Sequence, residues 1–354
     1  LHECTHLIGL AERLQAAARD DVFLRDWFAQ AEALLDRPTL DTPDGELALD
    51  SLAFDLRYRW LQHTYAQSGR YLMSPPQGQR KVLPGGERIG YPYDRWIKPR
   101  LLEERLSALH PAPKGWAGRA VLFANGMAAL SATLQMYRAH SHKMWPRPPG
   151  PLSLHWFGGY FEIIKLLHLV CDDFFHGRKH VKQQDLCASV ERGDADLVLI
   201  EPVSADMSLA VFDLDVFIAA WQRRTAKRPC TIVIDASLSG LVFPVEKLCR
   251  SLRADPPAMI IIIRSGLKLD QQGLELANAG LVNVWMPNTP NALKRLDRFE
   301  SRLKITRTTL GVGLSEDEYA ALTAPFFLDR PSLTQHTNAV FANNQRFAEA
   351  LAPT

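Results

Sequence analysis

The stretch Met259-Ile260-Ile261-Ile262-Ile263-Arg264-Ser265-Gly266-Leu267-Lys268 decides the fold. Four consecutive isoleucines leave no polar side to face water, and β-branched side chains favour the pleated over the helical backbone, so the run predicts a strand buried on both faces of a sheet. Five more short apolar runs bounded by turn residues lie outward of it: Ala120 to Ala124, Pro151 to His155, Leu197 to Glu201, Thr231 to Asp235 and Leu281 to Trp285. Helical stretches separate them. Strands alternating with helices predict an α/β fold with a largely parallel sheet flanked by helices, in which ligands bind beyond the carboxyl ends of the strands.

Before these runs the pattern differs. Leu7, Leu10, Leu14, Phe23, Trp27 and Leu34 recur at helical spacing and predict one or two amphipathic helices up to about Leu35, with another near Ser51 to Tyr65. Ser74 to Pro99 then holds Pro75, Pro76, Pro84, Gly85, Gly86, Gly90, Pro92 and Pro99, and reads as an extended crossing segment rather than regular structure. The expected organisation is an N-terminal helical arm (1–75), the crossing segment with a first helix (76–118), a large cofactor-binding domain (119–310) and the start of a C-terminal small domain (311–354).

The chain has 354 residues, 47% of them hydrophobic, enough for a large buried core. Its 41 basic and 39 acidic residues are spread along the whole length, which argues against a nucleic-acid partner and for a small molecule. Five scattered cysteines (Cys4, Cys171, Cys187, Cys230, Cys249), without CxxC spacing, suggest neither a disulfide framework nor a zinc ribbon, so a cytoplasmic location is expected. No apolar run reaches the roughly 20 residues of a membrane span, and no leader pattern precedes the first helix.

Three features follow the predicted strands. Asn125-Gly126-Met127-Ala128-Ala129 is a tight turn into a helix, whose free N–H groups and positive dipole end suit a phosphate, although a glycine there is more often simply a turn. Asp235 places a carboxylate at the end of an apolar strand; such a group needs a partner to stay ionised, and a protonated pyridine nitrogen is one, a helix cap being the commoner role for a lone aspartate. Lys268 lies past the most apolar strand, where partial desolvation would make its amine available for a Schiff base, although a lone lysine in a loop is more often solvated. Together, phosphate turn, carboxylate and lysine, the last two 33 residues apart, are in the order required to hold pyridoxal 5'-phosphate (PLP) by its phosphate, ring nitrogen and aldehyde.

These residues resemble the Cys/Met-metabolism family of PLP enzymes (cystathionine γ-synthase, cystathionine lyases, methionine γ-lyase), within the aspartate-aminotransferase-like fold type I. Asn125-Gly126-Met127-Ala128-Ala129 resembles the family's Ser-Gly-Met-Ala-Ala phosphate turn, and Ser265-x-x-Lys268 its Ser-x-Thr-Lys. Phe157-Gly158-Gly159-Tyr160 resembles Tyr-Gly-Gly-Thr, and Glu201-Pro202 with Val233-Ile234-Asp235 the strands around the pyridine-nitrogen aspartate. Tyr93-Asp94-Arg95 resembles the Tyr-x-Arg segment that crosses to a neighbour's phosphate. The likeness runs from about residue 90 to 350 and includes His336-Thr337-Asn338-Ala339.

The resemblance implies a homodimer or dimer of dimers with active sites at the interface, acting on an amino-acid substrate. It implies that Asn125, Gly126, Met127, Ser265, Tyr93 and Arg95 hold the phosphate, that Phe157 stacks on the ring, and that Asp235 and Lys268 act as above. Ser204 stands in for an Asn near the ring hydroxyl.

Departures bear on the reaction. Phe157 lacks the tyrosine hydroxyl that assists the departing group, Leu267 replaces a threonine, and the loop Leu269-Asp270-Gln271-Gln272-Gly273 lacks the family's Gly-His-Ser. Lysine-mediated elimination or replacement at Cβ or Cγ is expected, with a leaving group that departs without strong acid help, such as a sulfonium. The family's small domain, with the arginine that grips the substrate carboxylate, would lie beyond Thr354.

Three rivals stand beside this. An aminotransferase would carry a phosphate arginine eight residues past the lysine, where this chain has Leu276. A zinc protease is suggested by His2-Glu3-Cys4-Thr5-His6, which satisfies HExxH, with Glu32 or Asp20 as conceivable third ligands. A non-catalytic relative would keep the fold as a binding module.

Overall fold

A seven-stranded sheet organises the larger part of the chain, in a computed structural model that describes residues 2–19, 22–36, 42–68, 81–82, 88–89, 97–144, 150–206, 210–225 and 228–351. Two compact units are formed, one by residues 103–269 and 279–313, the other by residues 1–102, 270–278 and 314–354.

In the second of these units, α1 (His2–Ala18), α2 (Arg25–Leu35) and α3 (Pro43–Ser68) are the predicted amphipathic helices, and α3 begins earlier than the sequence suggested. Leu49, Leu52, Leu56 and Trp60 are buried along one stripe of α3 at three- and four-residue spacing. Indole N–H groups tie the helices to backbone: Trp27 Nε1 donates to the Leu52 carbonyl and Trp60 Nε1 to the Ala321 carbonyl, both at 2.9 Å. The unit also contains α11 (Glu316–Ala321), opened by a Ser315–Glu318 capping box, and α12 (Arg330–Leu351). Within the stretch read as irregular, β1 (Lys81–Val82) and β2 (Arg88–Ile89) pair antiparallel, two residues each.

The sheet unit begins with α4 (Arg100–Leu109), which straddles the boundary, and β3 (Trp116–Phe123). Then come α5 (Gly126–Met144), β4 (Leu152–Phe157), α6 (Phe161–Val170), β5 (Phe175–His180), α7 (Gln183–Arg192), β6 (Leu197–Ile200), α8 (Leu214–Gln222), β7 (Thr231–Asp235), α9 (Val245–Ser251), β8 (Met259–Ser265), β9 (Gly280–Pro287) and α10 (Ala292–Leu310). The strand order is β3-β9-β8-β7-β6-β4-β5. β9 pairs antiparallel with both neighbours while the β8-β7-β6-β4-β5 pairs are parallel, so six strands run one way and β9 alone runs against them. The α/β fold with a mostly parallel sheet between helices is therefore as the sequence predicts.

The isoleucine run shows why both faces are apolar. Ile261 and Ile263 pack into the core shared with α5, α6 and α10, while Ile260 and Ile262 pack into the core shared with α7, α8 and α9. β5 is the strand the sequence did not announce. In Phe-His-Gly-Arg-Lys-His only Phe175 and His180 are buried, because β5 is the sheet edge and its four middle residues face solvent. Among the described residues no helix is long and apolar enough to cross a membrane.

Two buried histidines join β4, β5 and α7. Ser189 Oγ donates to the Leu186 carbonyl at 2.7 Å, so it accepts from His155 Nδ1 at 2.9 Å. That proton also faces His180 Nε2, 3.0 Å away, which must then be unprotonated, while Ser153 Oγ lies 3.0 Å from His155 Nε2. A proton on His180 Nε2 would set two N–H groups against each other. Burial, then the charges of His180 and Arg178, lower His155 from its usual 6.5 to about 4, with Arg192 acting in the same direction and Asp194 against it; burial and Arg178 lower His180 as well. Because the folded value is the depressed one, the unfolded chain takes up the proton first. Stability is therefore unaffected above pH 6.5 and falls as pH drops from 6.5 towards 4. Between pH 7 and 5 the His155 contribution is a loss of about 2 kcal/mol. Urea unfolding at the two pH values should show that loss in the wild type, and His155→Gln should remove most of it; equal slopes in both proteins would contradict the assignment.

Candidate active site

The six codirectional strands end at one edge of the sheet, and β9 begins there. Its first residue, Gly280, sits in register between Phe123 at the end of β3 and Ser265 at the end of β8. A Cβ on Gly280 would lie 2.6 Å from the Asn125 carbonyl carbon and 3.0 Å from Ala129 Cβ, so the chain leaving β3 crosses directly over the start of β9. Asn125 then opens α5: its Oδ1 accepts the Ala128 N–H at 2.7 Å and its carbonyl the Ala129 N–H at 3.0 Å. A Cβ on Gly126 would lie 3.3 Å from Ser265 Cα and Cβ, which places the helix turn against the end of β8. Met127 is half-buried and packs on the core beneath.

From Ser265 a hydrogen-bonded path leads to the next strand. Its N–H donates to Ser237 Oγ at 2.8 Å, and the Ser237 N–H donates to Asp235 Oδ1 at 3.0 Å. Burial pushes the Asp235 carboxyl above its usual 3.8, and the hydrogen bonds from the Ser237 side chain and backbone offset this only in part. A cation set against Asp235 would restore its charged form.

A second carboxylate flanks it. Glu201, just past β6, is buried and accepts the N–H groups of Gly159 and Tyr160 at 3.2 Å and of Ala205 at 3.3 Å. Burial raises its pKa, the three N–H groups lower it, and the Asp235 charge raises it further. Gly158 has φ +148, and a Cβ there would lie 2.7 Å from Glu201 Cγ; one on Gly159 would lie 2.6 Å from Asp206 Cβ. The turn after β4 is thus wrapped around two acidic side chains. Tyr160 Oη donates to Glu162 Oε2 at 2.8 Å, and burial, that bond and the charges of Glu162, Asp235 and Glu201 push the phenol up to about 12.

The remaining expected residues fall as follows. Phe157 closes β4 but is buried in the core with α7, α8 and α9, its ring 5.5 Å from that of Phe212. Ser204 is buried, with its N–H on the Ala210 carbonyl. Lys268 lies in the turn after β8, its N–H 3.4 Å from the Ser265 carbonyl, with an exposed side chain that makes no hydrogen bond or ion pair among the described residues. Tyr93 and Arg95 lie outside the described residues. Asn125, Gly126, Ser265 and Asp235 are thus brought together, with Lys268 three residues beyond Ser265.

Sequence reasoning did not single out Ser237, Glu201, Tyr160 or Gly280 as site residues. Glu201 carried a usable signal, a carboxylate closing an apolar run just as Asp235 does; the contacts of Ser237 and Gly280 depend on strand pairing. In HExxH, Glu3 is exposed and the His6 ring stacks on His336 at 5.4 Å. Among the described residues no group of three or more His, Cys, Asp or Glu could hold a metal.

No family model matches the sequence, and no curated protein matches it. Solved structures do show likeness. A methionine γ-lyase from Micromonospora echinospora is 19% identical, over 71% of this chain and 56% of that one, with a TM-score of 0.45. Cystathionine γ-lyase from yeast is 17% identical, over 72% and 56%, with a TM-score of 0.46. An aromatic-amino-acid aminotransferase from Burkholderia pseudomallei, covalently bound to pyridoxal phosphate, is 12% identical, over 79% and 65%, with a TM-score of 0.49. The chain spans little more than half the length of the lyases it matches.

Gly280→Ala tests the close crossing at the sheet edge. The added methyl must displace backbone at Asn125, and overpacking of this kind costs about 2 kcal/mol. Denaturant titration should show that loss, whereas Gly9→Ala, at a helical glycine of α1 with nothing within 4 Å of its ideal Cβ and no left-handed φ, should lose less. Equal losses would count against a packed crossing.

Proposed function

We propose that this chain is a PLP-dependent lyase or transferase of the aspartate-aminotransferase-like fold type I, acting on an amino acid by elimination or replacement at Cβ or Cγ. One observation carries the reading: the Gly126 turn, Ser265, Ser237 and Asp235 form a continuous path along the carboxyl edge, joining a helix N-terminus to a half-buried carboxylate. The residues fit the cofactor at three points. The start of the 19-residue helix α5, with Asn125, Gly126, Met127 and Ser265, suits the dianionic phosphate. Asp235 is a half-buried carboxyl whose desolvation a pyridinium N–H would offset. Lys268, exposed here rather than partly desolvated as its place past an apolar strand suggested, offers an amine with no competing partner among the described residues.

PLP supplies an electron sink for the bond breaking at the substrate's Cα. Lys268 would hold the cofactor by its aldehyde, and its amine is the group placed to carry the proton at the substrate's Cα. Asp235 would hold a proton on the ring nitrogen. Glu201 fixes the turn from Gly159 to Ala205 that bounds the same edge. Phe157 brings no hydroxyl to the departing group, which favours a substrate whose leaving group needs little acid help, a sulfonium for example. The ring-stacking role read for Phe157 and the ring-hydroxyl role of Ser204 belong to the same proposal. So do a homodimer in which Tyr93 and Arg95 reach the neighbour's phosphate, and a cytoplasmic location, where the five free cysteines stay reduced.

The chain should take up one PLP, and borohydride should fix it on Lys268, as peptide mapping would read directly. Lys268→Ala should abolish the adduct and lower turnover of amino acids with a Cβ or Cγ leaving group at least about 10²-fold, the worth of a positioned proton carrier. Asp235→Asn should retain the adduct while lowering turnover. Labelling of another lysine, or none, would overturn the reading, and release of a keto acid with its side chain intact would make the enzyme an aminotransferase.

A further inference from the structure

At the opposite edge of the sheet, where β7 and β8 begin, lies a cavity of about 260 Å³. Arg224, Arg228 and Arg295 line it together with a single acidic side chain, Asp255, and its other walls are largely prolines and apolar groups. Three guanidinium groups around one cavity repel each other, and a single carboxylate shares its lining with them.

Arg224 is held most firmly. Its side chain is 3% exposed, its guanidinium carbon lies 4.3 Å from the Trp221 ring centroid, and its NH2 donates to the Arg228 carbonyl at 2.7 Å. Its NH1 lies 3.7 Å from Asp255 Oδ2. Arg228 donates to the Asp194 carbonyl and lies 3.7 Å from Asp196 Oδ1, with its side chain 41% exposed. Arg295, in the first turn of α10, is exposed, and its guanidinium has no hydrogen bond or ion pair among the described residues. α10 itself starts at this cavity, and Asn291 gives it no side-chain cap, so the positive end of a 19-residue helix adds to the field.

We propose that this cavity is a binding site for a small phosphate-type oxyanion, free or as a monoester, held by Arg295 and Arg228 against the fixed charge of Arg224. Planar guanidinium forks match such oxygens in pairs, and the proline-rich walls limit reorganisation on binding. The site is separate from the candidate active site by the length of β8, seven residues or roughly 20 Å, and is independent of the reading given to that edge.

Calorimetric titration of the full chain with inorganic phosphate tests it, with the Gly126→Ala variant separating binding at this cavity from any at the turn into α5. Saturable binding at one site is expected, with no comparable heat from sodium chloride at matched ionic strength. Arg295→Ala, at an exposed position that folding does not need, and Arg228→Ala should each weaken binding at least tenfold, Arg295→Lys should do so less, and Gly126→Ala should leave it unchanged. Glycerol phosphate binding tighter than phosphate would assign the site to monoesters, and the reverse order to the free ion. Undiminished binding in the Arg228→Ala, Arg295→Ala double variant, loss of binding in Gly126→Ala, or an equal response to chloride would each overturn the proposal.

Discussion

A missing side chain at Gly280 sets the geometry on which the candidate site depends. β9 is the one strand reversed in the sheet, so its first residue lies among the last residues of its neighbours. Any Cβ there would occupy the space of the Asn125 carbonyl, and the turn into α5 would have to lift away from β8. With glycine in place, the start of a long helix rests against Ser265. From there backbone N–H groups and one serine hydroxyl connect to the carboxyl of Asp235 at the end of the neighbouring strand. The chemistry proposed at this edge requires an anion-binding end and a buried acid at fixed separation, and the Gly280 crossing supplies that spacing.

The edge is also electrostatically uneven. The α5 terminus is positive, whereas Asp235, Glu201, Asp206 and Glu162 gather on the side of the turn after β4. Burial raises Asp235 and Glu201, and the Asp235 charge disfavours ionisation of Glu201 further. A ligand with a phosphate at one end and a protonated ring or cationic side chain at the other meets complementary charge at both ends, and one of reversed polarity meets like charge.

Much of this was legible in the residues themselves. The Thr231 to Asp235 run is β7 to the residue, and the isoleucine run is β8 with Ser265 added, because a central parallel strand must be apolar on both faces. β5 was not legible, since an edge strand buries two residues in six and keeps no alternation. Asp235, Gly126 and Ser265 could be chosen from their places after strands. Ser237 could not, because its role comes from Ser265 lying beside it on another strand, 28 residues away in the chain. Phe157 shows the converse: its place at a strand end was legible, but its burial against Phe212 depends on which face of the sheet the side chain takes.

β5 carries one more consequence. Sheets grow by adding strands at open margins, and this margin presents His176, Gly177, Arg178 and Lys179 to water. A second copy laid along it would bring Arg178 and Lys179 against their own counterparts, and two neighbouring cations in a backbone-pairing position repel. Charge therefore guards this margin of the sheet against pairing with a second copy of itself.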